Sequence, residues 1–167
     1  DNPVFLTRTC GHTTVANSVA LKAGGIDRDT PDPFGGKIRR ENGEPDGILF
    51  ENARDAVRAV MPAASESYIV DAIERGGKKL LSLGVTSIME AAIGLTVGTV
   101  ELDAYLTARK ENRIPIRVAG TLMGDLERNI LDYAYSKGLV TGAGDDIFRI
   151  GPVKFFTDGS AGAGTAW

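Results

Sequence analysis

The sequence contains very little cysteine and very little histidine. Cys10 is the single cysteine among 167 residues, so the chain can form no internal disulfide and has no Cys-x-x-Cys metal site. His12 is the single histidine, whereas catalytic zinc and related metals are usually bound by two or three imidazoles. The chain alone therefore cannot supply a histidine-rich metal centre.

Long apolar runs and a strong net charge are also missing. No apolar run approaches the roughly 20 residues needed to span a bilayer, and no signal peptide is visible at the N-terminus. The formal net charge of -3 is too mild to predict binding to nucleic acid or to an anionic membrane. The lone cysteine fits a reducing compartment and on that ground favours a cytoplasmic location.

Glycine, by contrast, is abundant. The chain has 21 glycines in 167 residues, against about 7% in average proteins, and they cluster at the ends of predicted strands and helices. The hydrophobic content of 43% and the charged content of 25% are ordinary for a globular chain with a real core. This composition is typical of an α/β chain with many tight connections.

Helices and strands alternate in the second part of the chain. Ser65 is a good N-cap for a helix that ends at Gly84, and Gly76-Gly77 in its middle are expected to pack closely against a neighbour. Apolar periodicity then predicts strands at 85–91, 114–122 and 147–159, with helices at 96–112 and 124–138. Such an alternation implies right-handed crossovers and a parallel sheet.

Residues 1–65 follow a more irregular pattern. A strand is predicted at 3–8, followed by a helix that contains Val15 and Val19 and stops at Gly24-Gly25. Asn42-Gly43 predicts a tight hairpin turn, and a short helix is expected at 51–62. We therefore expect an α+β subdomain over 1–65 and an α/β unit over 66–167.

Parallel sheets place their chemistry at the carboxyl ends of strands, which directs attention to Glu90, Met123, Lys154 and Asp158. A lysine in an apolar strand must be paired, neutral or modified. Lys154 could form a salt bridge to Asp158 or Glu90, or it could act as a Schiff base, a general base or a carboxylated metal ligand. Glu90 could be a functional carboxylate or the partner of a helix N-terminus.

Two further segments could carry polar chemistry. His12 follows Gly11 and precedes a predicted helix, so it could be a capping histidine or a substrate-facing imidazole. Asn17 on that helix is either a second pocket group or a surface residue. The glycine-rich stretch at 158–164 could cradle an anion, but it matches neither a Walker loop nor a dinucleotide fingerprint.

Four segments, taken in order, resemble one family. They read PVFLTRTCGHTTVANSVALKAGGI, TPDPFGGKIRRENGEPDGILFE, LLSLGVTSIMEA and GPVKFFTDGSAGAGTA. This combination resembles the amidohydrolase superfamily over nearly the whole chain, and in particular the amidohydrolase 3 type, which includes enzymes similar to N-substituted formamide deformylase.

The resemblance implies a partial (β/α)8 TIM-type barrel, about strands 2–4, preceded by residues 1–65 as an insertion or cap subdomain. In that family a lysine at the end of the fourth strand is carboxylated and bridges divalent metal ions. Lys154 matches its place, so the resemblance implies one or two ions, zinc above all, in the full-length parent. His12, Glu90 and Asp158 would line the substrate pocket. The reaction would be hydrolysis of a C–N bond in a small amide, formamide or cyclic amide by metal-activated water.

Several parts of the family pattern are missing from this sequence: a His-x-His pair, two further histidines and an aspartate. The resemblance therefore implies an internal fragment that is inactive alone, lacks tightly bound metal and self-associates through exposed sheet edges. One alternative is a non-catalytic binding domain or pseudoenzyme that keeps the fold. Another is an unrelated lyase that uses Lys154 as a Schiff base.

Overall fold

A computed structural model describes residues 1–124 and 129–158, and these residues divide into two compact units. The first comprises Asp1–Pro62 with the described residues from Phe156 to Asp158, and the second comprises Ala63–Phe155. The first boundary thus lies three residues before the one expected at 65. Within the described residues, no helix is both long enough and apolar enough to cross a membrane.

The first unit is built on a four-stranded antiparallel sheet in the order β1-β2-β4-β3. Its elements are β1 (Phe5–Thr7), β2 (Thr13–Ala16), α1 (Ser18–Ala23), β3 (Gly36–Glu41), β4 (Glu44–Glu51), a 3-10 turn (Asn52–Arg54) and α2 (Asp55–Arg58). The turn at Asn42-Gly43 joins β3 to β4 with both residues at positive φ, which confirms the predicted hairpin.

The predicted helix around Val15 is wrong. Thr13, Thr14 and Val15 form β2 instead, and Thr14 lies opposite Leu49 of β4. Three consecutive β-branched residues favour an extended backbone, and pairing with a distant strand fixes it. The helix begins only at Ser18, because the side chain of Asn17 accepts a hydrogen bond from the backbone N–H of Ala20 and caps it. Asn17 is therefore a helix cap.

The second unit is a three-stranded parallel sheet in the order β5-β6-β7, which confirms the predicted α-β alternation. Its elements are α3 (Glu66–Ser82), β5 (Ser87–Ile93), α4 (Thr99–Lys110), β6 (Arg117–Met123), α5 (Ile130–Ser136) and β7 (Phe148–Lys154). Part of the helix expected at 124–138, and the glycine-rich stretch after Asp158, lie outside the described residues.

Helix α3 begins and ends where the sequence predicts. The hydroxyl of Ser65 accepts a hydrogen bond from the N–H of Tyr68, and Gly84 follows the helix with φ +81. The helix runs unbroken through both central glycines. A Cβ on Gly77 would lie 2.7 Å from Cδ of Pro115, so this residue packs closely as expected, whereas Gly76 faces open space.

Each unit has its own apolar core. In the first, side chains of α1 and α2 pack on the sheet around Leu49, which is fully buried. In the second, the core lies on one face of the sheet, where α3, α4 and α5 contribute fully buried Leu102 and Ile130 and adjacent apolar residues. The other face of this sheet exposes Met89, which is 65% accessible.

Candidate functional site

Lys154 is the last residue of β7, at the carboxyl end of a parallel strand. It is in register with Met123, the last residue of the central strand β6, and its carbonyl accepts a hydrogen bond of 2.8 Å from the N–H of Gly124. Lys154 is partly buried. This is the edge at which α/β enzymes usually bind their ligands.

A bulge decides which way Lys154 faces. Gly120 of β6 is in register with Ile150 of β7, but Leu122 is in register with Val153, so β7 contains one extra residue in this stretch. A one-residue shift exchanges the two faces of a strand. The register therefore places Lys154 on the face opposite Ile150.

The alternation expected beyond Lys154 is wrong. The sequence predicts a strand to residue 159 with Lys154, Phe156 and Asp158 on one face, but β7 ends at Lys154. Residues 155–157 have no regular secondary structure. The side chains of Phe156 and Asp158 consequently follow no two-residue period with Lys154.

Glu90 lies in the middle of β5, which continues two residues further than expected, to Ile93. Its carboxylate accepts hydrogen bonds from the N–H of Ala92 at 3.2 Å and from the hydroxyl of Tyr105 at 3.5 Å. The Tyr105 ring stacks on Phe148 with centroids 5.1 Å apart. Glu90 is thus hydrogen-bonded to α4, and its role in a substrate pocket stays a prediction.

The carboxyl end of β5 carries a second acid, Glu101, at the start of α4. Its carboxylate accepts hydrogen bonds from the backbone N–H groups of Gly94 and Thr96 in the preceding turn. Burial nevertheless raises the pKa of Glu101. Burial also raises the pKa of Tyr105, and the negative charges of Glu90 and Glu101 add to that effect.

In the first unit, His12 is paired with an acid. Its Nδ1 lies 3.0 and 2.9 Å from the two carboxylate oxygens of Glu51 at the end of β4. The side chains are 30% and 17% exposed, respectively. Arg54, in the following 3-10 turn, donates from Nη1 to the carbonyl of Gly11 and so fastens the loop that carries the histidine.

Glu51 also borders a cavity of about 500 Å³ in this unit. The cavity is lined by Gly35, Gly36, Lys37, Phe50, Glu51, Asn52 and Asp158. The structure thus brings Asp158 and the partner of His12 to the wall of one cavity. Its volume is in the range of small-molecule sites.

The donor set for a metal is incomplete in the part of the chain that the structure describes. Residues 1–124 and 129–158 contain no group of three or more His, Cys, Asp or Glu side chains that could hold an ion. Lys154 stands at a strand end suited to a ligand, but one side chain does not make a site.

Sequence reasoning missed three polar residues near these features. Glu51 and Arg54 hold the His12 loop although they are about 40 residues away in sequence, and no local motif announces them. Thr121 of β6 is buried, and its hydroxyl has no hydrogen-bond partner among the described residues. The sequence signal that could have identified Thr121 is its position inside an otherwise apolar strand.

The fold and these residues define a mixed α/β protein with a lysine at the carboxyl end of a parallel strand. The chain belongs to the amidohydrolase family, whose family model matches residues 1–167. This confirms the resemblance drawn from the four sequence segments.

Individual relatives agree with the family. The chain is 32% identical over 168 residues to the protein named amidohydrolase YtcJ of Bacillus subtilis, covering 99% of this chain and 30% of the relative. It is 34% identical over 172 residues to the protein LONG AFTER FAR-RED 3 of Arabidopsis thaliana, covering 99% and 29%. It is 28% identical over 168 residues to N-substituted formamide deformylase of Arthrobacter pascens, covering 95% and 30%.

A solved structure is also similar. It is an uncharacterized metal-dependent hydrolase from Pyrococcus horikoshii, with a TM-score of 0.64 and 30% sequence identity. The match covers 98% of this chain and 30% of that one. The chain thus spans about a third of the length of the relatives it matches, and those relatives are hydrolases by name in three of these four cases.

Proposed function

We propose that this chain forms part of a metal-dependent hydrolase that cleaves a C–N bond in a small amide, formamide or cyclic amide. The observation that carries the proposal is the position of Lys154 at the carboxyl end of a parallel strand in a chain of the amidohydrolase family. The similarity to a metal-dependent hydrolase supports a divalent ion, for which we propose zinc.

Lys154 is proposed as one ligand of that ion, in a carboxylated form. Carboxylation turns the ammonium into a carbamate anion, and an anionic oxygen donor at a partly buried strand end suits a divalent cation. When bound, such an ion lowers the pKa of a water and polarises a carbonyl. The remaining ligands are proposed to come from residues other than those described.

His12 and Asp158 are proposed to contact the substrate, on the ground that Asp158 and the partner of His12 border one cavity. Glu90 is also proposed to contact the substrate, although its carboxylate is hydrogen-bonded to Tyr105 of α4. A neutral amide is recognised by hydrogen bonds to its N–H and C=O groups. An imidazole and a carboxylate can both accept the N–H.

We also propose that the second unit is part of a (β/α)8 barrel. Its sheet is covered by helices on one face and exposes Met89 on the other, whereas parallel sheets are normally covered on both faces. In a barrel the exposed face lines the closed interior. Residues 1–65 are proposed to be an insertion subdomain of that barrel.

Variants at Lys154 in the complete gene product test this function. Lys154→Ala is expected to abolish amide hydrolysis and lower the metal content, whereas Lys110→Ala, at the exposed end of α4, leaves both unchanged. Added short carboxylic acids are expected to restore part of the activity of Lys154→Ala, because they can occupy the position of the carbamate. Full activity in Lys154→Ala would refute the assignment.

A non-catalytic binding domain is the second candidate. It is favoured by one observation: the described residues contain no group of acidic, thiol or imidazole side chains that could hold an ion. Equilibrium dialysis of the 167-residue chain against zinc is expected to show no tight binding under either function. Metal-free, inactive complete protein that still binds an amide would favour this second candidate.

A further inference from the structure

Glu51 has a backbone conformation that side-chain-bearing residues rarely adopt. Its φ is +48 and its ψ is -125, at the corner where β4 ends and the 3-10 turn begins. Glycine would adopt this conformation without strain. Strained residues of this kind persist where the surrounding structure holds them, and they cluster at functional sites.

The surrounding contacts hold this corner firmly. The backbone N–H of Glu51 donates to the carbonyl of His12 at 2.9 Å, so the two residues are joined by their main chains as well as by their side chains. Gly36 lies opposite Glu51 in β3, where a Cβ would come within 2.3 Å of the N atom of Ala53. The corner is therefore closely packed on the β3 side.

The contact between the side chains fixes the chemistry of the imidazole. A carboxylate only accepts hydrogen bonds, so the nitrogen that lies 2.9–3.0 Å from both of its oxygens must be the donor. In neutral His12 that nitrogen is Nδ1. The proton is then absent from Nε2, which keeps its lone pair for another partner.

We propose that Glu51 is a positioning residue that holds neutral His12 in the Nδ1–H tautomer and so presents Nε2 as a hydrogen-bond acceptor for an N–H group of a ligand. The ligand class is a small amide or formamide that carries at least one N–H. The inference rests on the proposed function only for this ligand class. The tautomer itself depends on the residues of the first unit alone.

The arrangement differs from a surface ion pair in two ways. An exposed pair gains little and is not held in one geometry, whereas this pair is joined to a strained backbone corner and to a loop fastened by Arg54. Arg54 Nε, in the 3-10 turn beside this loop, is buried without a hydrogen-bond partner among the described residues, so it is a donor for a water or a ligand acceptor.

Nitrogen NMR tests the tautomer directly, because His12 is the single histidine of the sequence and its ring signals need no assignment by mutation. We would record two-bond proton–nitrogen spectra of the chain labelled in its imidazole, at about pH 8.5, well above the ordinary histidine pKa of ~6.5. Nδ1 is expected to be the protonated nitrogen. A spectrum with the proton on Nε2 would overturn the proposal.

Variants of Glu51 test whether that residue is the cause. In Glu51→Ala, His12 is expected to lose the single tautomer and to show the mixture of two tautomers of a free imidazole. In Glu51→Gln, a preference for the Nδ1–H tautomer is expected to remain in part, since the amide oxygen of glutamine can still accept a hydrogen bond from Nδ1–H. Glu41→Ala, an exposed glutamate of the same hairpin, is the matched control and should leave the spectrum unchanged. An unchanged tautomer in Glu51→Ala would overturn the proposal.

Glu51→Gly keeps the test usable if Glu51→Ala fails to fold. Glycine removes the carboxylate and also the backbone strain, so its urea midpoint should exceed that of Glu51→Ala while the tautomer is lost as before. Two variants that lose the tautomer but differ in stability would separate positioning from folding. Retention of the tautomer in Glu51→Gly would refute the role.

Two small amides test the ligand class. N-methylformamide carries an N–H, whereas N,N-dimethylformamide does not, and the two are otherwise alike. Only the first is expected to shift the Nε2 signal of His12. Equal shifts, or no shift with either, would refute the acceptor role. If this result is positive but the complete protein hydrolyses no amide, the proposed function fails and the His12–Glu51 pair stands.

Discussion

Gly76 and Gly77 are neighbours in α3, yet replacing each one by alanine is expected to change stability in opposite directions. Both are interior helix positions, where alanine is better than glycine by about 1 kcal/mol through backbone entropy alone. What differs is the space that a Cβ would enter. No atom beyond the local helix backbone lies within 4 Å of the position that a Cβ on Gly76 would take. Gly76 borders an apolar cavity of about 260 Å³.

The structure sets the magnitudes. Gly76→Ala is expected to raise the free energy of unfolding by about 0.4–1 kcal/mol, the usual gain at a compatible site. Gly77→Ala has the same gain in propensity, but its Cβ would lie 2.7 Å from Cδ and 3.1 Å from Cγ of Pro115. A proline ring cannot rotate away, and overpacking costs typically ~1–3 kcal/mol. The net loss is therefore up to about 2 kcal/mol.

Urea unfolding followed by far-ultraviolet circular dichroism measures both effects. The control is the double variant Gly77→Ala/Pro115→Ala, compared with Pro115→Ala alone. Without the ring the clash is gone, so the second alanine should now stabilise. If Gly77→Ala stabilises as much as Gly76→Ala, the close contact between α3 and Pro115 is wrong. If Gly76→Ala destabilises, the space beside that residue is not open.

Three further outcomes are expected. Burial raises the pKa of Glu101 above its ordinary 4.5, so the folded state keeps the carboxyl proton to higher pH than the unfolded chain does. The contribution of Glu101 to stability therefore increases as pH falls from neutral towards 4.5. Glu101→Gln should remove this trend, and an unchanged pH profile of urea unfolding in that variant would contradict it. Tyr105→Phe should cost less stability than Tyr105→Leu, since only the latter removes the stack on Phe148, worth ~0.5–1.5 kcal/mol; equal thermal unfolding of the two variants would count against the stack. The isolated chain should self-associate through the edge strands β5 and β7 of the three-stranded sheet, and light scattering that shows a monomer at high concentration would argue otherwise.

The second unit was predictable from sequence because its signals are local. Apolar periodicity marks each strand and helix, and Ser65 and Gly84 delimit α3 by capping contacts that involve only nearby residues. The alternation of elements then implies a parallel sheet without knowledge of any distant contact. Periodicity predicted a longer last strand, to residue 159, whereas β7 ends at Lys154.

The first unit was less predictable because distant pairing decides it. Val15 has helical spacing to Val19, but the pairing of Thr14 with Leu49 makes this segment a strand. Local propensity is a weak prior when a sheet is available to pair with. The features with local signals were predicted correctly in this region: the hairpin at Asn42-Gly43, the first strand, the end of α1 at Gly24 and the short helix after Glu51.

The candidate site shows the same division. His12 was selected as a candidate from the sequence because it follows Gly11 and precedes a predicted helix. Its partner Glu51 lies 39 residues away and is identified only by the structure. The positive φ of Glu51 could not be expected, because glutamate has no preference for it. The face of Lys154 was not predicted, although Gly151 and Pro152 in the bulged stretch are residue types that commonly mark a bulge.

That bulge has a consequence for how this stretch of β7 tolerates change. The direction of Lys154 depends on the number of residues after Ile150 and not on their identities, because the extra residue moves the lysine from one side of the sheet to the other. Substitutions at residues 151–153 can therefore alter local fit while leaving the lysine aimed as it is. Losing a single one of them would move the lysine to the face that carries Ile150, so the length of this segment sets the side of the sheet on which the lysine lies.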